Sequence, residues 1–215
     1  MSQALSDLLS LLELESLGVN HLRGTSEDLG FRALFGGQVL GQSIKAAAMT
    51  LDGPFQPHSM HGYFLRPGTV KEPVDYEVDC VRDGHSFSVR RVTASQSGRA
   101  IFTMTSSFQV PEEGLDHQDD MPEVKGPEGI KSQLELTRMF KDFFPEKQRA
   151  IYTADKPIEI RPIDPVNVFA PKACEPVKYA WFRATGKLPD DPLIHQSILT
   201  YASDFNLLTA ALQPH

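Results

Sequence analysis

The strongest constraint lies in the run VDYEVDC, where Val74, Tyr76, Val78 and Cys80 alternate with Asp75, Glu77 and Asp79. Successive side chains of a strand point to opposite faces, so this run fits a half-buried strand of an antiparallel sheet, apolar on one face and acidic on the other. Asp83-Gly84 supplies turn residues, and HSFSVRRVTASQ and AIFTMTSSFQV follow on either side of Ser97-Gly98. The spacing predicts a three-strand meander over residues 74–110, with HSMHGYFLR (58–66) as another strand. Such a sheet needs a cover for its dry face. From Phe35 the run FGGQVLGQSIKAAAMT is apolar and Ala-rich with two glycines at its head, which reads as a buried helix reached through a tight Gly turn. One helix wrapped by an antiparallel sheet is an α+β arrangement.

The flanking segments extend this plan. Leu5, Leu8, Leu9 and Leu12 predict a short amphipathic opening helix, and Asn20 to Thr25 an extended segment. Residues 111–130 are rich in acid, Pro and Gly and read as an exposed linker. Leu136, Met139, Phe140 and Phe143 suggest a short helix that Pro145 stops, and PIEIRPI and YAWFRAT predict two strands. From about Pro192, Ile194, Ile198, Tyr201, Phe205, Leu208 and Leu212 form an apolar stripe, predicting one long helix of roughly 20 residues. GQSIKAAAMT (41–50) lies over HQSILTYASD (195–204), so a strand-and-helix unit occurs twice. The expected organisation is a first unit over 1–110, a linker with a short helix over 111–155 and the start of a second unit over 156–215. An uncovered apolar helix is an aggregation hazard, so the second unit is expected to be truncated at residue 215, its sheet supplied by sequence beyond.

Composition narrows the class. The 215 residues carry 21 Lys plus Arg against 28 Asp plus Glu, a formal charge of −7, which argues against broad nucleic-acid binding. Cys80 and Cys174 lack CxxC spacing and fit a reducing compartment. The leucines of the first 15 residues are mixed with acids, without a basic leader, and no window approaches a membrane span. The expectation is a cytoplasmic protein.

FGGQVLGQ, HSMHGYFLRPG, RDGHSFSVRRV, PDDPLIHQ and YASDFNLL, in this order and spacing, resemble the acyl-CoA thioesterase II family from about Met1 to the last residue. The resemblance implies a double hot-dog fold, two tandem units each with a long helix wrapped by an antiparallel sheet, associating into homo-oligomers. It implies hydrolysis of fatty acyl-CoA to fatty acid and CoA without metal or organic cofactor. It also implies that Asp204, the aspartate of YASDFNLL, is catalytic and activates water. The family's partner Thr or Ser and Gln come from later in the second unit and match no position here, and neither Thr50 nor Gln38 inherits their roles. A hot-dog hydratase or dehydratase using a His/Asp pair, and a non-catalytic acyl-CoA-binding module, are the alternatives.

Read from the residues alone, Asp204 on a continuous helix falls about 40° from Leu208 and about 60° from Tyr201, at the edge of the stripe. A carboxylate there is either a half-desolvated base or a solvated flank. His58 and His61 lie three apart, which on a strand means opposite faces and no metal pair; His58 reads as a strand histidine or a lining of the acyl channel. Gly36-Gly37 reads equally as close helix–sheet packing or as backbone N–H groups for an oxyanion, with Gly37 the substrate-side candidate. Arg82, Arg90, Arg91 and Arg99 concentrate charge on the meander. Arg90 and Arg91 are candidates for the CoA phosphates, with pairing to Asp75, Glu77 and Asp79 the competing reading. Ser43, Ser197 and Ser203 lack a GxSxG elbow, and His195 and Ser197 project about 200° apart on a helix, so no serine triad is expected.

Overall fold

The computed structural model describes residues 1–30, 33–165 and 172–211. Its chain divides into two units, one of Asp7–Gly114 with Leu188–Asp204 and the other of Met1–Ser6, Leu115–Lys187 and Phe205–His215. After helix α1 (Gln3–Leu11), the first unit is built from β1 (Glu15–Gly18), β2 (His21–Gly24), α2 (Gly36–Ala48), β3 (Gln56–Phe64), β4 (Val74–Asp83), β5 (Phe87–Gln96) and β6 (Arg99–Gln109). The six strands form one sheet in the order β1-β2-β4-β5-β6-β3, antiparallel at every pairing. Register explains the alternation. Tyr76 faces Ala94, which faces Phe102, and Val78 faces Val92, which faces Met104; all are buried, so these rows form the inner surface.

Helix α2 lies on that surface, and its Val39, Leu40, Ile44, Ala46 and Ala47 join the strand residues in one core. Its two buried glutamines are satisfied. Gln42 Nε2 donates to the Leu11 and Thr25 carbonyls at 2.7 and 3.0 Å while Oε1 accepts from the Tyr76 hydroxyl at 2.6 Å. Gln38 Nε2 donates to the Thr25 carbonyl at 2.8 Å. A buried amide without such partners would cost on the order of 1–3 kcal/mol, so these bonds fix where the segment after β2 crosses the helix.

The second helix packs on the first. Counting all helices in chain order, α3 (Gln133–Met139), α4 (Glu146–Thr153) and then α5 (Pro192–Ala202) follow. α5 runs antiparallel to α2 within the first unit, with a Cβ at Gly41 falling 3.2 Å from the Ser197 carbonyl and one at Gly37 clashing with the Tyr201 carbonyl. The glycines of α2 let the two helix backbones approach.

The expected long helix is interrupted. α5 begins with Asp191 accepting from the Leu193 N–H at 2.9 Å and Pro192 in the first turn, and it ends at Ala202 with Ser203 as C-cap. Asn206 follows with φ 67°, a left-handed conformation that asparagine tolerates better than most residues, and only then comes the short α6 (Leu207–Ala211). Leu208 is 74% exposed, and Leu212 lies outside the described residues. The stripe therefore ends at Tyr201, and the helix-edge geometry expected for Asp204 is replaced by a turn.

In the other unit the linker before Pro127 is without regular structure and largely exposed. α3 opens with a capping box in which Ser132 and Glu135 exchange bonds. Pro145 stops one helical turn and is also the N-cap of α4, a position where its missing N–H does no harm. β7 (Ile158–Pro162) and β8 (Ala180–Ala184) pair antiparallel. Trp181 Nε1 donates to the Lys125 carbonyl at 2.8 Å and Arg161 to the Ile130 carbonyl at 2.5 Å, holding the linker's end on these strands. No helix among the described residues is long and apolar enough to cross a membrane.

Candidate active site

Helix α2 starts without a side-chain cap, because Phe35 occupies the N-cap position and offers no oxygen. The first backbone N–H groups of a helix lack intrahelical partners and attract a negative charge. Here the Asp204 carboxylate, one residue past the C-cap of α5, accepts from the Gly37 N–H. A group about 170 residues away in the chain thus does what a Ser or Asp at Phe35 would do.

The two glycines make this approach possible. A Cβ on Gly36 would stand 2.6 Å from Asp204 Oδ2 and 2.7 Å from Phe64 Cζ. A Cβ on Gly37 would overlap the Phe35 ring and the Tyr201 carbonyl. Phe35 packs edge-on against Tyr201 at 5.2 Å and Phe64 against Phe102 at 4.9 Å, so the carboxylate sits among aromatic walls. Burial pushes its pKa above the ordinary value of 3.8, and the Gly37 N–H opposes that rise without cancelling it. The result is a carboxylate that is partly dried, held at one oxygen and of raised basicity.

Asp204 opens into a cleft of about 450 Å³ whose walls include Leu34, Val39, Phe64, Ile101 and Phe102, with Arg66 also lining it. The walls are apolar because this end of the cleft is the rim of the sheet's inner surface: Phe64 pairs with Phe102 across β3 and β6.

Of the other residues singled out in the sequence, Gly37 reaches this site, where its N–H serves the carboxylate. His58 does not line the cleft. It is exposed on β3, its Nε2 2.9 Å from Ser107 Oγ and its ring edge-on to Phe87 at 6.0 Å. Arg90 is a correction. Its side chain is 2% exposed and its guanidinium is committed to Thr50 Oγ1 at 2.7 Å, the Arg82 carbonyl at 3.0 Å and Asp83 at 2.5 Å. It ties the C-terminal end of α2 to the β4–β5 turn and has no donor to offer a phosphate. Arg91 is exposed and lies 3.8 Å from Asp79 on the neighbouring strand, the cross-strand arrangement that competes with phosphate contact. His195 meets the Pro189 carbonyl at 3.0 Å while Ser197 is fully buried, so they form no dyad. Among the described residues no three His, Cys, Asp or Glu side chains gather as a metal site. Phe64 and Arg66 are among the cleft residues that sequence reasoning missed; the signal was the abrupt FLRPG ending of a strand, where a turn brings bulky side chains to a rim.

A helix wrapped by an antiparallel sheet, with a desolvated carboxylate at the helix N-terminus above an apolar cleft, is an arrangement of the hot-dog class. Sequence comparison agrees with the geometry. A family profile described as the acyl-CoA thioesterase N-terminal domain matches residues 25–109, and one described as acyl-CoA thioesterase matches 147–215. Acyl-CoA thioesterase 2 of Haemophilus influenzae is 39% identical over 215 residues, covering all of this chain and 75% of that protein. Human acyl-coenzyme A thioesterase 8 is 36% identical over 96% of this chain and 67% of its own length. The crystal structure of the acyl-CoA thioesterase II TesB2 from Mycobacterium marinum superposes with a TM-score of 0.74 at 34% identity, covering 97% of this chain and 71% of that one. A hot-dog protein from Alicyclobacillus acidocaldarius shares the fold at 20% identity, with a TM-score of 0.73 over 97% of this chain and 73% of its own. The chain belongs to the acyl-CoA thioesterase family.

Proposed function

We propose that the protein hydrolyses fatty acyl-CoA thioesters to fatty acid and CoA, with Asp204 as the base that activates water. The observation that carries the reading is the Asp204 carboxylate held by the Gly37 N–H at the head of an apolar cleft. The apolar walls receive the acyl chain. Water beside the carboxylate attacks the thioester carbonyl carbon as its proton passes to Asp204, and the tetrahedral intermediate collapses by breaking the C–S bond. The departing CoA sulfur takes the proton, which restores the carboxylate. A base whose pKa is raised by partial burial is better matched to this transfer than an exposed aspartate. Because its N–H already meets the carboxylate, Gly37 acts by positioning the base, and other donors stabilise the oxyanion.

Asp204 also caps a helix, and a purely structural cap is the competing role. Asp204→Asn separates the two, since an amide oxygen still accepts from Gly37 but cannot take the proton. Release of free thiol from palmitoyl-CoA is expected to fall at least a hundredfold with a thermal midpoint at pH 7 no lower than that of the wild type. Equal rates for the two proteins would remove the base.

The repeat of GQSIKAAAMT in HQSILTYASD, together with the antiparallel packing of α2 on α5, supports a double hot-dog in which each helix belongs to its own sheet. β3 and β1 stand at the sheet's edges, and strand edges with unpaired backbone groups invite association into a homo-oligomer, which light scattering of the purified protein tests.

A further inference from the structure

Among the described residues the cleft beside Asp204 is lined by one other charged side chain, Arg66, which is not among the arginines that the sequence pattern singles out. We propose that Arg66 binds the phosphate groups of the CoA half of the substrate, so that the acyl chain lies on the apolar walls and the thioester at Asp204. The assignment rests on the acyl-CoA reading above and adds to it the residue that orients the substrate.

Three observations carry it. First, Arg66 has no carboxylate partner among the described residues, whereas Arg23 is held by Asp75, Arg90 by Asp83, Arg91 by Asp79 and Arg138 by Asp155. An unneutralised guanidinium beside apolar walls is the complement of a ligand with a long apolar arm and a phosphorylated head. Second, the position is fixed. The Leu65 and Arg66 N–H groups donate to the Ile101 carbonyl at 2.8 and 3.2 Å, and one guanidinium nitrogen of Arg66 donates to the Ala100 carbonyl at 2.8 Å. On the far side of Pro67, Gln96 grips Thr69 through bonds of 2.8 Å to its N–H and its carbonyl. The guanidinium keeps further N–H donors for a ligand, and its fork matches phosphate oxygens. Third, the chain carries a formal charge of −7, so an anionic substrate needs a local cation to offset the general repulsion.

The test uses two thioethers that cannot be hydrolysed, S-octyl-CoA and S-octyl-pantetheine, which differ in the phosphorylated nucleotide part. Calorimetry is run on the full chain, on Arg66→Ala and on Arg66→Gln, the last able to keep the bond to Ala100 while losing the charge. Both substitutions are expected to weaken S-octyl-CoA about tenfold and to leave S-octyl-pantetheine unchanged. Raising the salt concentration should weaken S-octyl-CoA binding to the wild-type protein far more than to either variant. Unchanged affinity for S-octyl-CoA in Arg66→Gln, or an equal loss for both ligands, would overturn the assignment. The hydrolase reading is judged separately by thiol release from palmitoyl-CoA: phosphate-dependent binding without turnover would sustain Arg66 and sink hydrolysis, and turnover indifferent to Arg66 would do the reverse.

Discussion

Gly36→Ala places a methyl group in the narrowest part of the site. Its Cβ would stand 2.6 Å from Asp204 Oδ2 and 2.7 Å from Phe64 Cζ, both side-chain atoms. An ordinary carbon–oxygen contact is about 3.4 Å, so the carboxylate must retreat by about 0.8 Å and the ring by a similar amount. Both are side-chain ends that can move, and Ala favours a helix over Gly by about 1 kcal/mol, so the thermal midpoint should change little. Catalysis should change a great deal, because misplacement of a reacting group by about 1 Å costs on the order of a hundredfold in rate. The expected result is a fall in kcat for palmitoyl-CoA of about tenfold to a hundredfold with a melting curve close to wild type. Combined with Asp204→Asn, the substitution should cost almost nothing further, since the residue it displaces no longer acts. A Gly36→Ala protein with kcat within about twofold of wild type would refute the geometry argued for the base.

The acid limb of the kcat/KM profile should lie above the ordinary aspartate value of 3.8, because burial raises the Asp204 pKa and the base acts only when ionised; a limb at or below that value would contradict the burial. The same shift has a sign for stability: with the folded pKa above the unfolded one, stability is undiminished below 3.8, falls as pH rises from the unfolded to the folded value, and stays lowered above it. Asp204→Asn should therefore raise the thermal midpoint at pH 7 and leave it unchanged near pH 3, which calorimetry at the two pH values checks. Arg90→Ala removes the bonds that tie Thr50 and the Arg82 carbonyl to β5 and should cost about 2–3 kcal/mol in urea denaturation, with kcat of the folded protein unaffected.

Much of the first unit was legible because its periodicities are local. Val74, Tyr76 and Val78 declare a strand face by alternation, and the Ala-rich run after Gly36-Gly37 declares a closely packed helix. The glycines also announced a close approach, though not what approaches. That partner, Asp204, arrives by the antiparallel return of α5, a contact distant in the chain that no local pattern encodes. The break after Ala202 was harder to see, since the apolar spacing runs on through Phe205 and Leu208; Asn206 was the one residue suited to a left-handed turn. Arg90 and Arg66 show the same limit from the side of charge. Arg90 lies within β5 and Arg66 just past the end of β3, and only the fold reveals that one is buried among carbonyls and the other lines the cleft.

The ending of α5 just ahead of Asp204 also governs which changes descendants of this gene can tolerate. One residue inserted between Pro192 and Ala202 would swing the acid around the helix axis by about 100° and advance it by about 1.5 Å, facing it away from Gly37. Insertions and deletions should thus be purged from those 11 residues, while the exposed stretch before Pro127 is free to vary in length.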